Sequence, residues 1–281
     1  MEIRRRGLPA GWYPDSAEAC RQEIEQFQDS FNKPVLEETE IYGGVIPHAG
    51  WYFSGKLASM VFHAASRKSQ PDIVAVMGGH LGSGPGLLYF DQGWETPLGV
   101  IEIDQDLSQA FKESSNLKIE GPEVLDNTVE IQLPMIKYFF PESRLVAARA
   151  PHAQSAITMG RDLAELARDQ GKTIKIFGST DLTHYGPNYG FSPQGSGDQA
   201  LDWVRRENDK GFINAVLSMD ETALLDHAAG NHSACSAGAA AAAMAACQTL
   251  GSRRVHLLDY YTSADIMRND SFVGYAGFVF S

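Results

Sequence analysis

The chain has 281 residues, 43% of them hydrophobic, and a formal net charge of −12. That acidity argues against nucleic-acid binding, because phosphate contacts need a basic face. No run approaches the ~20 apolar residues of a membrane span, and the basic start is followed by no apolar signal core, so a cytoplasmic protein without a membrane segment is expected.

Asp15 or Ser16 can cap a first helix, on which Cys20, Ile24, Phe27 and Phe31 share one face. The apolar run 41–46 reads as a buried strand ending at Pro47-His48-Ala49-Gly50. A helix over 55–67 follows, then a strand over 72–78 that ends near His80. Residues 87–90 and 100–103 read as short strands, a hairpin over one edge. A helix over 128–140 stops before Pro141. Then come a strand over 144–150, a helix over 155–169 and a strand over 173–177. Helix is expected over 198–217 and after Asp220. The alanine-rich stretch 236–250 reads as a buried helix, since alanine favours helix and permits close packing. Strands over 255–260 and 272–280 close the sheet. Strands alternating with helices predict one α/β domain over 1–281, with a mostly parallel or mixed central sheet flanked by helices.

Chemistry concentrates where strands end. His48 and His80 each follow a core strand, and two imidazoles delivered by a rigid scaffold are how a mononuclear metal site is built. The alternative for each is a histidine bonded within its own loop. Asn231-His232-Ser233-Ala234-Cys235 precedes the alanine-rich helix. With Ser233 as N-cap, Cys235 falls in the first turn, where the helix dipole favours a thiolate; the alternative is a packed small residue. Three scattered cysteines make no disulfide framework, and Cys20 and Cys247 read as core. Asp181 and His184, in the loop after the strand 173–177, can form a carboxylate–imidazole pair, since open α/β sheets place their sites beyond the carboxyl ends of strands. Glu130 lies on an apolar helix and needs a partner, for which a structural use is favoured. The glycine-rich 78–84 lacks the pattern of a phosphate loop; glycine there lets backbone approach a crowded site. His152 is at most a neighbour of the site.

In order and spacing these motifs resemble the Memo family (mediator of cell motility). The match runs from Leu8-Pro9-Ala10-Gly11-Trp12-Tyr13-Pro14 through the segments 47–55, 77–80, 129–134 and 179–186 and Cys235 to the segment 271–277. The resemblance implies a fold similar to class III extradiol ring-cleaving dioxygenases, which hold ferrous iron with two histidines and a carboxylate. It implies metal ligands His48, His80 and Cys235, with Asp181 and His184 in the same pocket and His184 as the catalytic base. It implies a divalent or redox metal, iron by fold and copper or zinc as alternatives, and association with a radical-SAM protein. Two departures stand out: Asn127 replaces a pocket histidine, and the histidine that commonly neighbours His80 is missing. Three readings follow: a metal-dependent, dioxygenase-like oxidoreductase; a non-enzymatic pocket for a peptide or small-molecule ligand, with Trp51, Tyr52, Phe53 and Tyr185 beside it; and a metal-free enzyme with Cys235 as nucleophile.

Overall fold

Four parallel strands form the centre of the molecule: Gly43–Ile46, Ile174–Ser179, Ile73–Leu81 and Arg144–Pro151, in that order across the sheet. This is a computed structural model, and it describes residues 2–31, 36 and 40–281. The four strands are nearly continuous runs of Val, Ile, Ala and Gly because helices cover both faces. Alternation along the strand divides the core. Ile73, Ala75 and Met77 face the helices Ser155–Asp169 and Ala237–Leu250. Val74 and Val76 join the opposite cluster, with the helices Ala17–Asp29, Trp51–Ser66 and Leu133–Phe139.

The sheet is mixed at its edges. Phe272–Phe280 runs antiparallel beside Gly43–Ile46 and carries Val255–Thr262 on its other side. The two-residue strand His184–Tyr185 pairs with Val273 and Phe272. At the far edge Leu87–Leu88 pairs antiparallel with Arg149 and Ala148, and Lys118–Ile119 completes it. A separate small sheet joins Ile3–Arg4, Gly93–Thr96 and Gly99–Glu102.

Local expectations shift in four places. The hairpin is Gly93–Thr96 with Gly99–Glu102, turning at Gly99 with φ +115°, while Leu87–Leu88 belongs to the main sheet. The expected helix over 128–140 is two, Asn127–Glu130 and Leu133–Phe139, with Pro134 in the first turn of the second; its missing N–H prevents a continuous ladder. The helix after the first motif starts at Trp51, directly behind Gly50. The strand expected to stop at Gly78 runs on through His80, which has φ 58°.

The alanine-rich helix is buried on all sides from Ala237 to Cys247. It crosses the helix Ser155–Asp169 so closely that a Cβ on Gly160 would stand 2.0 Å from the carbonyl oxygen of Ala242. Backbone cannot yield as a flexible side chain does, so Gly160→Ala should destabilise the fold by ~1–3 kcal/mol, the usual cost of overpacking. Urea denaturation read by circular dichroism measures it; an unchanged midpoint would mean the two helices are not packed this closely.

Candidate metal centre

His48 stands two residues beyond the end of the strand Gly43–Ile46 and is 1% exposed. Its position is held from every side. Its amide donates to Asp181 Oδ1 at 2.7 Å, and its carbonyl accepts from Asn127 Nδ2 at 2.9 Å. Gln132 Nε2 donates to the preceding carbonyl of Pro47 at 2.8 Å. The ring Nδ1 lies 3.2 Å from Ser179 Oγ, which leaves Nε2 facing Cys235 Sγ at 3.1 Å.

His80 reaches the same point from the next strand but one. Its left-handed backbone is costly for a residue with a Cβ. It is sustained by contacts along the segment: the His80 amide lies 3.2 Å from Ser236 Oγ, and a Cβ on Gly79 would stand 2.1 Å from that same oxygen. Only glycine permits this approach, which is the use expected of the glycine run. Nδ1 of His80 is 3.3 Å from Asp126 Oδ2. Asp126 is in turn 3.4 Å from Arg149, whose Nε donates to the Gly79 carbonyl at 2.9 Å and whose guanidinium meets Glu120 at 2.7 Å. The Asp126 partner pushes the His80 pKa up to about 10, with help from Cys235. Burial works against ionised Asp126, yet His80, Thr128 and Arg149 hold its carboxyl below the usual range.

Cys235 lies two residues before the helix, not in its first turn. The N-cap is Ser236, and Ser233 instead meets Nδ1 of His227 at 2.8 Å. The Cys235 amide donates to the Asp181 carbonyl at 3.2 Å, and the Ser236 amide to Thr180 Oγ1 at 3.1 Å. Burial opposes the thiolate, but the charge of His48, whose Nε2 meets the sulfur, and the nearby imidazoles of His184 and His80 outweigh it. The thiol sits well below its ordinary range. The donor atoms of His48, His80 and Cys235 all lie within 4.8 Å of one another, and the two imidazole centroids are 5.0 Å apart. Two nitrogens and one sulfur suit iron, copper or zinc, and each histidine has its far nitrogen oriented by a protein oxygen, the arrangement that fixes a ligating tautomer. The three residues thus fit a metal ion.

His184 and Asp181 are in the same place. Asp181 Oδ2 is 3.8 Å from His184 Nε2 and 3.9 Å from His48 Nε2. Neither distance is a hydrogen bond, and His184 Nε2 is buried with no partner. Burial disfavours its charged form, but Asp181 and Cys235 push its pKa up to about 10. The cavity over the centre has a volume of about 680 Å³ and is lined by His48, His80, Asp181 and His184, with Tyr52 and Phe53 at its wall. Trp51 and Tyr185, expected beside it, are core: Trp51 Nε1 donates to the Ile131 carbonyl, and Tyr185 stacks on Phe272. Glu130 is structural, its Oε1 accepting at 2.9 Å from the Leu8 amide and the Tyr13 hydroxyl. Sequence reasoning missed Asp126, Ser179 and Tyr189. Asp126 was detectable as the helix cap two residues before Thr128; Ser179 lay at the start of the segment 179–186 with nothing to single it out, and nothing local marked Tyr189.

Comparison with known proteins agrees with the family resemblance. A model described as Memo-like protein matches residues 4–279. A MEMO1 family protein of Thermococcus onnurineus is 32% identical over 99% of both chains, and one of Methanosarcina acetivorans 30% identical over 99% of both. The crystal structure of an uncharacterized protein from Escherichia coli K12 superposes with a TM-score of 0.52, covering 85% of this chain and 100% of that one at 14% identity, a likeness of fold alone. The chain belongs to the Memo family.

Asp209, which no motif signalled, supports the site loop from below. Its Oδ1 accepts from the amide and hydroxyl of Thr183, and Oδ2 accepts from the Tyr260 hydroxyl at 2.8 Å. Burial raises its pKa from 3.8 to about 6, although Thr183, Tyr260 and the charge of His184 work the other way. The folded state therefore holds a proton that the unfolded chain has released between these values, so this residue's contribution falls as pH rises from about 4 to 6. Asp209→Asn removes the dependence. The stability of wild type relative to the variant should drop by up to ~3 kcal/mol between pH 4 and 7, at 1.36 kcal/mol per pKa unit. Denaturant titrations across that range measure the difference, and a gap independent of pH would refute the assignment.

Proposed function

We propose that this Memo family protein, acting as a single unit over 1–281, holds one metal ion with His48, His80 and Cys235, and that the centre supports redox or oxygen-dependent chemistry on a small molecule or peptide entering the 680 Å³ cavity. The observation that carries the reading is the convergence of the three donor atoms within 4.8 Å, each histidine with its outer nitrogen already engaged. The family's resemblance to extradiol dioxygenases favours iron, with copper or zinc fitting the thiolate equally well. The same resemblance favours a radical-SAM protein as partner, and a cytoplasmic setting fits a chain in which no described helix is long and apolar enough to cross a membrane.

A metal held there supplies Lewis acidity and a redox couple where the metal is iron or copper. The chain's own residues do the rest. Asp181 orients His48 through its amide and stabilises charge on His184. His184, held in its charged form by Asp181 and Cys235, is the group we assign to give a proton to, and take it back from, a substrate bound in the cavity. Tyr52 and Phe53 give an aromatic wall. Asn127 keeps the His48 carbonyl in place but cannot move a proton, which favours a reaction other than ring cleavage.

A second reading has its own support. Sγ of Cys235 at 3.1 Å from His48 Nε2 is also the geometry of a thiolate–imidazolium pair, a nucleophile needing no metal. Metal analysis by mass spectrometry on protein purified without tag or chelator separates the two. The metal reading expects about one ion per chain, and Cys235→Ser should weaken its affinity ~10-fold or more. Protein free of metal, or a serine variant with unchanged affinity, favours the nucleophile.

His184→Ala should lower turnover ~10²–10⁴-fold once a substrate is found, while metal content stays at the wild-type value. Loss of the metal in that variant would make His184 a ligand instead.

A further inference from the structure

Cys235 and the two histidines open onto different cavities. His48 and His80 line the 680 Å³ cavity and Cys235 does not. Cys235 lines a second one, of about 630 Å³, from which His48 and His80 are absent. His184 and Tyr189 belong to both walls, their rings 4.8 Å apart, and so form the partition between them. The centre therefore has two mouths.

The second mouth has a consistent chemistry. Three imidazoles contribute to its wall: His152, His232 and His184, the last with a buried Nε2 that lacks a partner. Aromatic surface comes from Phe191 and Tyr189, the His232 ring lying 5.3 Å from Phe191, and alanines make up part of the rest. Among the described residues no aspartate or glutamate lines it, in a chain whose net charge is −12, and the one anionic group on its wall, the Cys235 thiolate, is matched by the imidazoles of His48, His80 and His184. No lysine or arginine among the described residues lines it either, so a phosphate would find none of the strong cations or paired guanidinium donors it needs. Imidazole donors on an apolar and aromatic wall match a weaker, singly charged acceptor on an apolar body.

We propose that this second cavity is a ligand site in its own right, taking a small carboxylate with an aromatic or otherwise apolar body, which approaches the centre from the Cys235 side while the other ligand occupies the His48–His80 side. The inference stands on the cavity walls and holds whether or not the three donors carry an ion.

Calorimetric titration of the protein as purified with benzoate tests it. One saturable site per chain is expected, with a dissociation constant on the order of millimolar or tighter. Ala229 is exposed on the helix that borders the second mouth, so Ala229→Trp can fill the entrance without disturbing the core; it should weaken binding at least ~10-fold. His232→Gly, which suits the left-handed backbone at that position (φ 50°), should weaken it ~3-fold or more by removing one donor. Ala10→Trp, at the exposed rim of the first cavity, should change it less than ~2-fold. Inorganic phosphate in place of benzoate should give no saturable heat. Sensitivity to Ala10→Trp but not to Ala229→Trp would put benzoate in the first cavity and overturn the proposal. So would the absence of saturable binding, or phosphate binding that Ala229→Trp abolishes. Metal content decides none of these outcomes, so failure here is distinct from failure of the metal reading.

Discussion

Asp181 ties together three stretches of chain that are remote in sequence. Its carboxylate takes the amide of His48, its own carbonyl takes the amide of Cys235, and its loop brings His184 to the same cavity. Remove this junction and the strand-end histidine, the thiol and the candidate base have no common frame. The junction is itself buried, so it persists only because its acceptors are used and because Asp209 secures the following turn through Thr183. The site is thus a polar network inside a largely apolar sheet, and its cost is offset by the packing of the two helical layers.

The three candidate ligands are prepared unequally. His48 is enclosed and faces a hydroxyl, Ser179. His80 is a third exposed and faces a carboxylate, Asp126, backed by Arg149. A carboxylate partner makes an imidazole more basic and a stronger donor to a metal, so His80 should be the firmer ligand electronically and His48 the firmer one sterically. Cys235, between them, is favoured as thiolate by histidines on three sides. An anionic sulfur beside two oriented nitrogens is stable as a metal ligand set and reactive as a bare nucleophile. That is why the two functional readings share one geometry.

Much of this was legible in the sequence for identifiable reasons. Hydrophobic runs marked the parallel strands, because strands covered on both faces tolerate little else, and the residues just beyond them carry His48, Asp181 and His184. The alanine-rich helix was legible because its composition admits only close packing. What sequence periodicity could not show was long-range partnership. Asp126 meets His80 across 46 residues and Asp209 meets Thr183 across 26. Cys235 precedes its helix instead of starting it because the helix begins only at Ala237, with Ser236 at the N-cap position making no side-chain cap bond, while the Ser233 hydroxyl is taken by His227; two serines three residues apart look alike to a local rule. Trp51 and Tyr185 were misjudged for a related reason: aromatic residues beside a site motif serve the core as readily as the pocket.

The central claim is that His48, His80 and Cys235 bind one ion together. X-ray absorption spectroscopy at the edge of the metal carried by the purified protein tests it most directly. The account predicts one sulfur and two imidazole nitrogens bound to the metal, with the sulfur contribution lost in Cys235→Ser. A spectrum with oxygen and nitrogen neighbours only, unchanged by that substitution, would contradict it.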